Sequence, residues 1–144
     1  MTFTTTVGEG DPALDQRLSD ELDAVNAAAM AHAGEQRELT VRIEDGEGLA
    51  AGISGWTWGQ AAGIAMTWAR ADVRGAGLGA RLLEAFEAEA ARRGVRHVFV
   101  TSFTFQAPAF YERHGYVELA RWESLPVPGE ADVHLRKELA GPAR

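Results

Sequence analysis

The chain has 144 residues, 46% of them hydrophobic and 24% charged, with a net charge of −7; that is the size and balance of one globular domain, residues 1–144, with a single core. The acidic balance excludes a whole-protein basic footprint for nucleic acid, and no apolar run approaches the ~20 residues that a membrane-spanning helix needs. Cysteine is absent, which excludes disulfides, thiolate metal ligands and a cysteine nucleophile.

The start, MTFTTTVGEG, has no basic segment ahead of an apolar core, so no signal peptide is expected and the cytoplasm is the expected location. Within it, TFTTTV (2–7) is β-prone and predicts a short strand. Residues 11–34 predict a helix, with Asp11 as N-cap, Pro12 in the first turn and Gly34 at the stop. Its apolar stripe is Leu14, Leu18, Leu22, Val25 and Ala29. ELTVRIE (38–44) alternates as a strand, DGEG (45–48) signals a hairpin turn, and residues 49–59 return as a second strand. A turn around Gly59 leads into a third strand, AAGIAMTWA (61–69). A helix follows from near Gly77 to about Arg93, with Leu78, Leu82, Leu83, Phe86 and Ala90 on one side and Gly94 at its end. Then come a buried-type strand (95–103), a short helix (106–115) with Pro108 in its first turn, a strand (116–124), a loop (125–130), a last strand (131–139) and a frayed tail, AGPAR.

The order β-α-β-β-β-α-β-α-β-β predicts an α+β fold: a mixed, mostly antiparallel sheet of six or seven strands flanked by helices. Neither an internal repeat nor an interdomain linker is visible.

ADVRGAGLGARLLEAF (71–86) packs three glycines into residues 75–79 and then turns at once into a helical pattern. Side-chain caps are the usual solution at a helix start. Bare backbone there leaves the first amides without partners, at the positive end of the helix dipole, where an anion such as a phosphate group can bind. Arg74 adds a forked, charged donor. A P-loop would need Gly-Lys-Ser/Thr, which is absent. A dinucleotide fingerprint is matched by Gly75, Gly77 and Ala80, but the next strand ends in Thr101 and Ser102 where that motif needs an acidic residue. A glycine-rich turn with no ligand is the plain alternative.

RGAGLG (74–79) resembles the Arg/Gln-x-x-Gly-x-Gly/Ala signature of the GNAT superfamily of N-acetyltransferases, and FQAPAFYERHGY resembles that family's later helix and turn. With the element order, the resemblance covers nearly the whole chain, most loosely before residue 35, and points to the small bacterial members. It implies a GNAT fold and acetyl-CoA as cosubstrate, with no metal. The pyrophosphate would sit on Arg74, Gly75, Ala76, Gly77, Leu78, Gly79 and Ala80, and the pantetheine arm beside Trp68 and Ala69, with the Ala69 amide as oxyanion donor. Tyr111 would be the catalytic acid that protonates the departing thiolate; its plain alternative is an amphipathic core aromatic. Where the family often has a pantetheine-binding Asn, seven residues before the tyrosine, this chain has Thr104; Ala107 and Phe110 would pack on the cofactor.

The implied reaction is direct transfer from acetyl-CoA to a primary amine, of a small molecule or a peptide, in a ternary complex. The alternative is a GNAT-fold module that binds acyl-CoA without turnover. A homodimer is the oligomer the resemblance suggests; no nucleic-acid or membrane partner is expected. For the general base, Glu44, Asp45 and Glu123 are positional candidates, but each reads more readily as a solvated surface charge; His32, His97, His114 and His134 are scattered without metal-ligand spacing. Trp56, Trp58 and Trp68, with Phe103 and Phe105, are candidate walls for the acceptor or ordinary core.

Overall fold

The structure, a computed structural model, describes residues 1–140, and the chain divides into two compact units, Met1–Glu35 and the remainder from Gln36 onward. From residue 141 the predicted tail lies outside the described residues.

In the first unit, α1 (Pro12–Ala29) starts where expected: the Asp11 side chain accepts from the Leu14 amide at 3.0 Å, and Pro12 occupies the first turn. An Arg17–Glu21 pair at 2.8 Å bridges one turn of the helix. The α-helix stops five residues before Gly34. The chain then tightens to i→i+3 bonds, Ala33 N to Met30 O and Gly34 N to Ala31 O, in a 3₁₀ turn over Ala31–Ala33. The strand expected at 2–7 is absent. A threonine-rich run has β propensity, but a strand exists only where its amides and carbonyls find a ladder. The six strands of the second unit pair among themselves, so the order is α-β-β-β-α-β-α-β-β.

The second unit is one six-stranded sheet of β1 (Arg37–Asp45), β2 (Gly48–Trp58), β3 (Ala61–Ala69), β4 (His97–Phe103), β5 (Val117–Glu123) and β6 (Ala131–Glu138), in the order β1-β2-β3-β4-β6-β5. All neighbours are antiparallel except β3 and β4, which are parallel and joined through α2 (Leu78–Arg92). A parallel pair needs such a crossover. α2 buries Leu82, Leu83, Phe86 and Ala90 against Leu39, Ile53, Ile64 and Val98. Fully burying a leucine or phenylalanine contributes about 1.5–3 kcal/mol, so this face holds the helix firmly on the sheet. The helix ends as its sequence predicts: Gly94 has φ 91°, its amide bonds Ala91 O, and Val95 N bonds Ala90 O. On the far side of α2, Glu87 accepts from Lys137 Nζ at 2.6 Å and from the Tyr116 hydroxyl at 3.2 Å, latching the helix to β6 and to the turn after α3 (Pro108–Arg113).

Two irregularities shape the sheet's centre. The β2–β3 register shifts so that Ser54 faces Met66 and Gly55 faces Ile64, leaving Ala65 as the bulged residue. The β3–β4 ladder runs only from Ala61↔His97 to Ile64↔Val100. Beyond it β3 follows β2 as far as Ala51↔Ala69, while β4 follows β6 as far as Phe103↔Asp132, so the two strands splay apart. Gly55 permits the bulge, because a Cβ there would lie 2.0 Å from the Gly63 carbonyl oxygen. Gly55→Ala is therefore expected to cost about 1–3 kcal/mol, as overpacking against fixed backbone does. Urea unfolding would show it as a lowered midpoint at constant slope. Gly52→Ala, whose nearest neighbour would be 3.7 Å away, is the matched control and should leave the midpoint nearly unchanged.

Candidate active site

The opening between β3 and β4 is a cleft of about 580 Å³. Ile64–Ala69 form one wall, Val100, Thr101 and Ser102 the other, and Arg74, Phe105, Gln106, Ala107 and Tyr111 close its ends. A strand pair that parts while each member keeps its outer neighbour leaves backbone amides unused along the gap. Arg70 N bonds Ala50 O across β2. By strand alternation, the amide and carbonyl of Ala69 therefore face the other way, into the gap.

At one end of the cleft, β3 passes through a 3₁₀ turn (Ala71–Val73) into the glycine stretch. Gly75 and Gly77 have φ 85° and 80°, conformations that suit glycine alone, and a Cβ at either would meet nothing within 4 Å. Packing within the protein therefore does not account for these two glycines; backbone shape and open approach do. Gly77 is the N-cap of α2 and makes no side-chain cap bond, leaving the first-turn amides of Leu78, Gly79 and Ala80 for a ligand. Arg74 Nε donates to Ala69 O at 3.1 Å, which pins the guanidinium at the cleft's edge. A bare, positively polarised helix start beside a fixed arginine fits a diphosphate. Gly79 has a different reason: a Cβ there would stand 3.0 Å from the Phe110 ring, so it is needed for the packing of α3 on α2.

Tyr111, on α3, is only 7% exposed. Its hydroxyl donates to Thr67 Oγ1 at 3.1 Å on the splayed part of β3. Phe110 and Tyr116 meet its ring edge-on at 5.1 and 5.6 Å. Burial pushes the phenol above its ordinary pKa, against the smaller opposing effect of the Thr67 bond. The group is thus held neutral and proton-bearing at the cleft wall through neutral and mildly alkaline pH, the state a proton donor requires.

The structure places the other sequence candidates unevenly. Trp68, Ala69, Arg74 and Ala107 line the cleft with Tyr111. Phe110 does not; it wedges between Gly79, Tyr111 and His114. Thr104 turns away: its hydroxyl donates to Glu130 and accepts from Ala131 N at 2.9 Å, fastening the loop after β4 to the start of β6. The side chain expected near a pantetheine is thus already committed. Of the aromatic walls, Trp68 and Phe105 line the cleft, Phe103 stacks on Phe105 at 5.4 Å, and Trp56 lies across Gly63. Met66 and Trp68 also wall a second hollow of about 280 Å³ over β1 and β2, with Leu49, Gly52 and Ser54. The candidate bases are tied elsewhere. Glu44 pairs with Arg42 at 2.6 Å, and Glu123 lies on the edge strand β5. Asp45 bonds Arg70 at 2.6 Å, and that guanidinium holds its carboxyl below the usual carboxylate range.

Three contributors escaped the sequence reading. Thr67 receives the Tyr111 hydroxyl bond. Ser102, 3% exposed, accepts the Ala107 amide at 3.2 Å and so sets where α3 begins. Gln106 caps the end of β4 by accepting from Phe103 N at 2.8 Å. For Ser102 the signal was available, as a polar residue in register with buried Val98 and Val100.

Comparison with known proteins bears on the family and the fold. Residues 35–118 match the family described as Acetyltransferase (GNAT) domain. The chain is 41% identical over 97 residues to a blasticidin-S acetyltransferase of Streptomyces morookaense, covering 67% of this chain and 70% of that protein. An acetyltransferase of Bacillus cereus has a similar structure (TM-score 0.78, 26% identity, 94% of this chain and 98% of that one). An aminoglycoside 6′-N-acetyltransferase solved with coenzyme A shares the fold (TM-score 0.66, 18% identity, 96% and 98% coverage).

Proposed function

The chain belongs to the GNAT acetyltransferase family, and from that premise we propose that it transfers the acetyl group of acetyl-CoA to a primary amine of a small molecule, of the antibiotic type. The observation that carries the reading is the splayed cleft itself, which has a bare helix start and Arg74 at one end and the buried Tyr111 hydroxyl within reach of its interior. The blasticidin-S acetyltransferase at 41% identity supports the acceptor class.

In this reading the Gly75–Ala80 backbone and Arg74 hold the diphosphate, and the edges of β3 around Trp68 and Ala69 guide the pantetheine. The thioester lies between the strands. Its carbonyl oxygen takes the Ala69 amide, a preorganised donor where negative charge develops. Tyr111 supplies the proton that lets the thiolate leave. The acceptor enters over Met66 and Trp68, with the hollow above β1 and β2 taking its body. The amine attacks directly, because the sequence has no cysteine to carry an acyl group.

Calorimetric titration should show micromolar binding of acetyl-CoA and none of NADH. Thiol release should then appear with blasticidin S or with another member of a panel of small antibiotic amines. Binding without release across the whole panel would favour an acyl-CoA-sensing module instead.

A further inference from the structure

We propose that His134, oriented by Asp132, accepts the proton that the attacking amine gives up; the inference rests on the acyl-transfer reading above. The cleft's own titratable side chains are Arg74, which is always charged, and Tyr111, which is assigned to the leaving thiolate. A base must therefore come from just beyond the wall.

On β6, Ala131, Val133 and Leu135 are buried in the core, so Asp132 and His134 share the opposite face. On β4, Val98, Val100 and Ser102 are buried, so Thr101 and Phe103 share that same opposite face. The register pairs Thr101 with His134 and Phe103 with Asp132. Directly opposed antiparallel residues have Cβ atoms about 4.5–5.5 Å apart. Thr101 lines the cleft, so the imidazole stands one strand from its wall, on the side away from Met66 and Trp68.

Asp132 Oδ2 lies 3.0 Å from His134 Nε2. The neutral ring then donates Nε2–H to the carboxylate and keeps the lone pair on Nδ1. The same carboxylate stabilises the imidazolium once a proton arrives, as the acidic member of a catalytic triad does. The groups facing the ring are few. β6 offers Asp132 and Arg136; β4 offers Phe99, Thr101 and Phe103; β5 offers Ala120 and Trp122, whose ring is 6.5 Å away, with Glu118 beyond the bulge and bonded to Arg121.

In the reaction, the acceptor ammonium gives one proton to Nδ1, directly or through one water. The neutral nitrogen attacks the thioester carbon, forming C–N. The C–S bond breaks with its electron pair on sulfur, which takes the Tyr111 proton. The second proton leaving nitrogen returns to the tyrosinate through solvent, and His134 releases the first to water.

The test is CoA thiol release by wild type, His134→Gln and Asp132→Asn across pH, with blasticidin S and the amine panel at saturating acetyl-CoA. Wild-type kcat/KM should rise with pH along a limb that His134→Gln lacks, and kcat of His134→Gln should fall roughly a hundredfold with acetyl-CoA affinity unchanged. Asp132→Asn should lower kcat by freeing the ring's tautomer. Imidazole ¹⁵N shifts of the wild type should report the Nε2–H form of His134. A His134→Gln enzyme that keeps both rate and limb overturns the inference alone, and so does an Nδ1–H tautomer. A wild type that releases no thiol with any amine overturns the acyl-transfer reading and this inference with it.

Discussion

Gly77→Glu is expected to weaken acetyl-CoA binding by roughly a hundredfold or more while the protein stays folded. The residue sits at φ 80°, with nothing within 4 Å of a built Cβ. The new side chain therefore meets no clash, and its stability cost is the left-handed conformation, about 1–2 kcal/mol. Binding suffers more. The carboxylate would stand where the proposed diphosphate lies, repelling it and competing for the first-turn amides. Hydrogen bonds to charged groups are worth about 1.5–3 kcal/mol each, so losing two is a loss of at least ~3 kcal/mol. Gly77→Ala separates the causes, because it carries the same backbone cost without the charge, and it should bind far better than the glutamate variant. Calorimetry decides: wild-type affinity in Gly77→Glu removes the loop from the cofactor site.

The second large effect is on turnover. Tyr111→Phe is expected to lower kcat by about 10²-fold or more, the usual contribution of a positioned proton donor, with little change in acetyl-CoA affinity. The variant keeps the ring, so its contacts with Phe110 and Tyr116 survive. What it loses is the hydroxyl bonded to Thr67, worth about 0.5–1.5 kcal/mol of stability. Thr67→Val removes the same bond and keeps the phenol, so a structural role would lower both variants alike. A catalytic role lowers kcat selectively in Tyr111→Phe. Because burial raises the phenol's pKa, no loss of activity from tyrosine ionisation is expected at neutral or mildly alkaline pH. Equal turnover in wild type and Tyr111→Phe would leave the tyrosine a core aromatic.

Most of the fold was legible because its signals are local. The bare helix start, the Gly94 stop and the period-two strands each depend on a few neighbouring residues, and β3 came out with its bounds as read, Ala61–Ala69. The false strand at 2–7 had the same local signal but lacked a partner, which only the assembled sheet reveals. The site divides in the same way. The left-handed backbone at Gly75 and Gly77 was legible because such a conformation writes itself into glycine. The bonds of Thr104 were not legible because its partners, Glu130 and Ala131, lie 26 and 27 residues away. The Asp132–His134 pair carries no motif until strand register sets His134 beside Thr101. The want of a side chain at Gly79 has a cause the sequence hides, an aromatic ring on another helix, and that leaves its amide free for the proposed anion loop.

The latch between Glu87 and Lys137 has a chemical side as well. Lys137 is the sole lysine of the sequence. Its ammonium is bonded to Glu87 at 2.6 Å and lies 5.7 Å from the centre of the Tyr116 ring. An acetyl thioester slowly acylates any free amine it meets, and a protein that works at high thioester concentration is its own nearest target. This chain offers few side-chain amines to acylate: its other strongly basic side chains are all arginine, and the one lysine is tied to a carboxylate. Amine-reactive reagents should therefore mark the terminal amine first, leaving a defined point for surface attachment.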